Sequence, residues 1–315
     1  MITYIIFTIF VFLLLIINFL IKKSYWYQAK FGDALKFKNI PKDLQIVNLG
    51  SNSGKFSFDY ERCEIKGMNW AVGPQTIAFD FKILQTFIPK IKKNGYVFLS
   101  ISIFSSIKDN YKAKSANDKY YHFLPSKLIP GYSKAVKFYV ELKRIFPFLF
   151  ILLNPRMIIT LLKVGKPSHM LEKNPMNLIE LKADAAKWME GWQKEFSLNN
   201  LNAQLPEVYD QTMRENRKIL KDCIYLCHKN GLKPIIVLPP VSKFLKVHLT
   251  HEIKQKYIYD FINKTIEQTG VKLLDYMGNS EFSDPKLYFN SFFLNARGRK
   301  MFTKKMLTEI YTNKL

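Results

Sequence analysis

Residues 44–54 read LQIVNLGSNSG, and the fold turns on how this stretch is taken. Residues 44–49 are a short apolar run closed by Gly50, the pattern of a strand buried on both faces of a parallel sheet. The turn that follows is bracketed by Gly50 and Gly54 and carries Ser51, Asn52 and Ser53. Such a turn either aims backbone N–H groups at an anion or lifts a hydroxyl above the carboxyl edge of a sheet. It is not a P-loop, because no Lys-Ser/Thr pair follows Gly54. An ordinary strand-to-loop turn has the same composition, so its meaning depends on its company.

Downstream, helical and strand-like segments alternate. Residues 75–91 carry apolar side chains at helical spacing (Ile77, Phe81, Leu84, Ile88), and 96–103, YVFLSISI, read as a second strand. Residues 208–230 form a long amphipathic helix ending at Asn230-Gly231, and 234–238, PIIVL, are a third strand stopped by Pro239-Pro240. A helix over 251–269 ends at Gly270, and 271–274 make a fourth strand. The last helix starts from Asn295 as its cap. This order implies a mostly parallel sheet with helices on both faces.

The chain has 315 residues, 48% hydrophobic and 23% charged, which suits a folded domain and not a disordered one. Residues 2–21, ITYIIFTIFVFLLLIINFLI, contain no charge, proline or glycine and match the ~30 Å hydrocarbon layer of a bilayer. No basic stretch precedes them and no small-residue cleavage site follows, so they read as an uncleaved anchor, with Lys22, Lys23, Tyr25, Trp26 and Tyr27 as an interfacial belt. The expected division is an anchor over 1–23 and one domain over 24–315, with a helical and loop insertion around 105–200. Within that insertion, 145–164 are strongly apolar but interrupted by Pro147, Asn154, Pro155 and Arg156. They read as two short helices on the sheet or the membrane surface, in preference to a second span.

The 48 Lys and Arg against 25 Asp and Glu give a net charge of +23, which attracts anionic lipid, acidic glycan or nucleic acid. The lysines are scattered and no nucleic-acid motif is present, so no specific nucleic-acid partner is expected. A nearby anionic membrane is the simpler account, and an AT-rich genome a blander one still. Lysines beside the anchor favour a cytoplasmic domain by the positive-inside rule, although large domains translocate regardless of charge. Cys63, Cys223 and Cys227 make an odd count, against a disulfide framework. Cys223 and Cys227 share a helix face beside His228 but lack a second ligand pair, so buried thiols are expected and no metal or cofactor.

Three further segments give the turn its company: 67–76, GMNWAVGPQT; 239–242, PPVS; and 288–302, YFNSFFLNARGRKMF. In this order and spacing the chain resembles the SGNH/GDSL hydrolase superfamily, over most of 44–310 and less clearly in 105–200. The nearest branch looks like membrane-anchored proteins that modify cell-envelope glycans, such as the D-alanyl-lipoteichoic acid biosynthesis proteins. The resemblance implies a three-layer, flavodoxin-like α/β domain. It also implies a catalytic serine at the position of Asn52, an aspartate at Asn290 and a histidine at Phe293. Leu294, Asn295 and Gly298 keep the frame of the last block, and Gly50, Asn69 and Gly73 match the turn and oxyanion positions and are the candidate substrate-binding residues.

Asn52 has no hydroxyl, Phe293 cannot accept a proton, and Asn290 cannot stabilise an imidazolium. A triad works as a unit, so these losses argue against hydrolysis. The resemblance then implies a catalytically inactive pseudo-hydrolase in envelope or surface polysaccharide assembly, single-pass in the inner or plasma membrane with its domain on the extracytoplasmic side. Its partners would be a glycan or acylated polymer and a membrane-bound acyltransferase. One alternative is an active O-acyl esterase or acyltransferase using Ser51 or Ser53, with His248 or His251 as base and Asp275 or Asp284 in support. Another is a membrane-tethered polyanion binder.

Overall fold

The computed structural model describes residues 1–61, 63–108, 114–153, 176–202 and 204–312. Along the chain run α1 (Ile2–Lys23), α2 (Tyr25–Leu35), β1 (Leu44–Leu49), α3 (Asn52–Lys55), β2 (Gly67–Asn69), α4 (Ile77–Phe87) and β3 (Ile91–Ser100). Then follow α5 (Lys134–Ile145), α6 (Pro147–Leu153), α7 (Leu178–Glu195), α8 (Glu207–Lys229), β4 (Lys233–Leu238), α9 (Asp260–Thr269), β5 (Lys272–Asp275) and α10 (Ala296–Thr312). The chain divides into two compact units, one of Met1–Ile40 with Ala113–Ser168 and one of Pro41–Lys112 with His169–Leu315. The expected insertion is therefore shared: α5 and α6 belong with the N-terminal helices, and α7 belongs with the sheet.

In the first unit, α1 is long and apolar enough to cross a membrane. Among the described residues it is the one such helix. The short helix α6 covers the start of the interrupted apolar stretch, while the rest of that expectation, 154–164, lies outside the described residues.

The second unit is an α/β fold around five parallel strands in the order β2-β1-β3-β4-β5, the flavodoxin-like arrangement. Strand alternation sends Ile46, Phe98, Ile235 and Val237 to one face, where they pack with Phe302, Met306 and Ile310 of α10. The intervening Val47, Leu49, Val97, Leu99, Ile236 and Leu238 are equally buried and point to the opposite face, on the side of α4, α8 and α9. Burial on both faces is why these strands read as continuous apolar runs.

Strands β3 and β2 depart most from the sequence reading. Strand β3 starts at Ile91 and stops at Ser100, because a shift of register between Leu44 and Ile46 and the positive φ of 63° at Asn94 absorb the polar Lys92-Lys93-Asn94 stretch. Strand β2 is an edge strand of three residues, too short for any periodicity to betray. Other ends fall where local chemistry sets them. Asn177 and Glu180 form a reciprocal capping box at the start of α7, and α8 closes at Asn230 ahead of Gly231, whose φ is 67°. Cys223 and Cys227 are fully buried on α8, and burial pushes the Cys227 thiol up to about 12.

Candidate functional site

In a doubly wound sheet, loops leaving neighbouring strands in opposite directions open a crevice at the carboxyl edge, where the strand order reverses. Here the reversal lies between β1 and β3. A cleft of about 340 Å³ sits there, lined by Ser51, Asn52 and Ser53 after β1 and by Ser102, Phe104 and Ser105 after β3.

The turn after β1 is fixed by buried hydrogen bonds. Gly50 has a φ of 124°, and a Cβ there would lie 2.7 Å from the Ser100 carbonyl oxygen, so only glycine fits. Its N–H donates to Asp80 Oδ1 at 2.7 Å, and Gln75 Nε2 donates to the same oxygen. Asp80 is buried in the first turn of α4. Burial raises its pKa to about 7 against the opposing pull of the Gly50 and Gln75 donors. Asp80 was not singled out from sequence. The available signal was a carboxylate in the first turn of an apolar helix, a common dipole-complementing position that gives no hint of burial.

Asn48 and Asn69 complete this network. Asn48 Nδ2 donates to Asn69 Oδ1 at 2.9 Å and to the Gly54 carbonyl at 3.2 Å. Asn69 Nδ2 reaches the carbonyls of Gly54, Lys55 and Phe58, while its Oδ1 also accepts from the Ala71 N–H. The Asn69 amide is thus used up inside the protein. Gly50, Asn69 and Gly73 do not line the cleft. Gly73 instead supports Asn52 from behind, since a Cβ at Gly73 would fall 1.6 Å from Asn52 Oδ1.

The structure separates the two serines. Ser51 Oγ accepts from the Gln75 N–H at 3.0 Å. Ser53 is 5% exposed, lines the cleft, and its Oγ has no hydrogen-bond partner.

The other wall is aromatic. Phe292 and Phe293 stack at 4.5 Å between ring centroids, Trp188 meets Phe293 edge-on at 5.6 Å, and Trp192 meets Phe292 at 5.5 Å. Phe104 closes on Trp192 at 4.9 Å. Asn290 holds this loop and does not orient a base: its Oδ1 accepts from the N–H groups of Phe292 (3.0 Å) and Phe293 (2.7 Å). The next residue, Ser291, is fully buried. It donates through N–H (2.9 Å) and Oγ–H (2.6 Å) to Asp184 Oδ2, which also accepts Trp188 Nε1–H at 3.2 Å. Asp184 also escaped sequence reasoning; its signal was the four-residue spacing to Trp188 on a polar helix.

The neck of this loop is closed by an antiparallel bridge between Tyr288 and Leu294 and by the Phe289 N–H on the Phe293 carbonyl. Below it, Asn295 caps α10 by accepting the Gly298 N–H at 3.0 Å and donating to the Lys286 carbonyl at 2.8 Å. A Cβ on Gly298 would stand 2.2 Å from the Leu287 carbonyl oxygen, so the frame residues of the last block are packing requirements.

The ionisable side chains of the cleft lining are Lys108 and Glu195, paired at 3.3 Å. No histidine lines it among the described residues. His248 is half-buried and His251 exposed, both outside the lining. Asp275 accepts from Tyr259 OH (2.7 Å) and the Met277 N–H (2.9 Å), and Asp284 caps the turn at Pro285–Leu287. Beside that ion pair the lining offers hydroxyls, amides and aromatic faces, the means of binding a neutral ligand.

No protein-family model matches the chain, and none of the curated proteins does. Among solved structures, it is similar to the crystal structure of protein YxiM from Bacillus subtilis, at 13% identity and a TM-score of 0.41 over 87% of this chain. The chain spans 58% of that protein's length. At this level the likeness carries no functional inference, and the fold stands on the strand order described above.

Proposed function

We propose that this chain is a membrane-anchored, SGNH-hydrolase-like binding protein. Its cleft holds a sugar ring or acyl group of an envelope polysaccharide without cleaving it. The supporting observation is that Asn52 and Phe293 share a cleft whose described ionisable side chains are a lysine and a glutamate bonded to each other. Trp188 and Phe292 offer stacking surfaces, and Asn52 and Ser102 offer hydrogen-bonding groups beside them. Anchorage by α1 would keep this cleft beside a membrane in which a membrane-bound acyltransferase works, with the domain on the extracytoplasmic side.

The test uses full-length protein in detergent. Acetylated and de-acetylated oligosaccharides are titrated against tryptophan fluorescence, and p-nitrophenyl acetate and a fluorophosphonate probe are offered in parallel. Saturable quenching that Phe292→Ala weakens, with no covalent labelling, is the expected result. No saturable quenching with any oligosaccharide or acyl ligand overturns the reading.

A second reading, an esterase or acyltransferase acting through Ser53, is favoured by that residue's buried and unpartnered hydroxyl, since such groups generally have a reason to exist. Fluorophosphonate labelling of Ser53, abolished by Ser53→Ala, establishes it against the first.

A further inference from the structure

Within the first unit, α1 exposes an apolar surface along most of its length, yet Asn18 is buried. An amide in a spanning helix needs a partner, because hydrocarbon offers none. Asn18 Nδ2 donates to the carbonyl of Ile145 at 3.0 Å. Ile145 ends α5, where carbonyls lack intrahelical donors. Helix α6, PFLFILL, follows at once and packs beside α1. The α5–α6 junction is therefore tied to α1 five residues before Lys23, roughly 7 Å along the axis. Phe138, Tyr139, Ile145 and Phe146 are exposed there, extending the apolar surface of the anchor.

Cations gather at the end of α1. Arg144 and Lys38 bear electrostatically on Lys22, and Lys143 bears on Lys30. Burial first, then Lys143, hold the Lys30 ammonium below its ordinary range, with Asp118 opposing. Of the acids facing this group, Glu141 is shared among Arg144, Lys137 and His122, and Asp118 faces Lys143, Lys30 and His122. Positive charge is left over, next to exposed aromatic and aliphatic side chains: the chemistry of a bilayer interface.

We propose that α5 and α6 dip into the same leaflet as the end of α1, and that Lys22, Lys30, Lys143 and Arg144 receive the phosphate headgroup of an anionic phospholipid. The proposal rests on α1 being a spanning helix, and its test separates the two. In full-length protein carrying Cys63→Ser, with Cys223 and Cys227 buried, an environment-sensitive dye is placed at Phe10→Cys, Phe146→Cys or Lys134→Cys. The protein is reconstituted in phosphatidylcholine vesicles with a minority of phosphatidylglycerol, and brominated acyl chains serve as quencher. Quenching at 10 and 146 but not at 134 is expected. Quenching at 10 with 146 as unquenched as 134 overturns the proposal, whereas no quenching at 10 overturns the anchor reading itself.

The headgroup site is read separately, by native mass spectrometry of the full chain offered equal phosphatidylglycerol and phosphatidylcholine. Phosphatidylglycerol should be retained in preference, and Lys30→Gln with Lys143→Gln should lower that preference roughly fivefold per cation. Lys286→Gln with Lys304→Gln, exposed lysines of the other unit, should leave it unchanged. An unchanged preference in the first variant, or an equal loss in the control, overturns the site.

Discussion

One wall of the cleft, the turn at residues 50–54 with Gln75, is held by buried hydrogen bonds from Gly50 and Gln75 to Asp80 and from Asn69 to Gly54. The other, Trp188, Trp192, Phe292 and Phe293, is held by ring packing around a single carboxylate, Asp184. A hydrogen-bonded turn has one geometry and fails if a partner is lost. An aromatic wall tolerates small shifts and supplies contact area to whatever enters. The polar side is thus fixed by discrete bonds and the aromatic side by packing.

The sharpest way to break the contrast is Gly50→Ala. It forces a Cβ against the Ser100 carbonyl at a φ of 124° and should cost about 3 kcal/mol or more in thermal unfolding. Gly131→Ala, also at positive φ but with nothing within 4 Å, should cost about 1 kcal/mol. Equal losses would mean that the turn after β1 is not the rigid element.

Next comes pH. Burial pushes the Asp80 carboxyl up to about 7 in the folded state, well above the ordinary carboxylate range. The folded state therefore binds the proton more tightly than the unfolded one. Its stabilising share is full below the unfolded pKa and is lost as pH rises towards the folded pKa. Urea melts should show wild type losing stability relative to Asp80→Asn by about 1.4 kcal/mol per pH unit between pH 4 and 7. A difference that stays flat over that window would show that the carboxyl is not held neutral.

On the aromatic side, Asp184→Ala strands the Ser291 hydroxyl and N–H and should cost about 2 kcal/mol. It should also speed amide exchange across 288–294 while leaving the turn at 50–54 protected. Trp188→Ala should lower ligand affinity roughly tenfold with little effect on the polar wall. The smallest effect is expected at the rim, where Lys108→Ala removes a partly exposed ion pair and should change stability by about 0–1 kcal/mol.

The parallel sheet was legible because its central strands, buried on both faces, are runs of apolar residues such as those ended by Gly50 and Pro239. What the sequence concealed was of two kinds. Strand β2 is fixed by pairing with β1 and by the Asn48–Asn69 bond, both contacts across more than ten residues, and no local pattern encodes it. Asp80 and Asp184 look like ordinary helix carboxylates, and only the fold buries the first and brings the second to Ser291. The turn at Gly50 was read correctly as a constrained backbone, but Asn69 and Gly73 turned out to support it from behind instead of lining the cleft. Asn290, a residue that cannot replace an aspartate as a charge, proves to be a turn-former whose amide oxygen is already occupied.

The closed neck beneath Phe289–Phe293 has an evolutionary consequence. Because Tyr288 and Leu294 meet across it and Asn295 and Gly298 lock the helix below, the five residues between them form a cassette that can be exchanged without redrawing the sheet. Changes confined to that cassette would leave the sheet as it is, provided position 291 keeps its bond to Asp184.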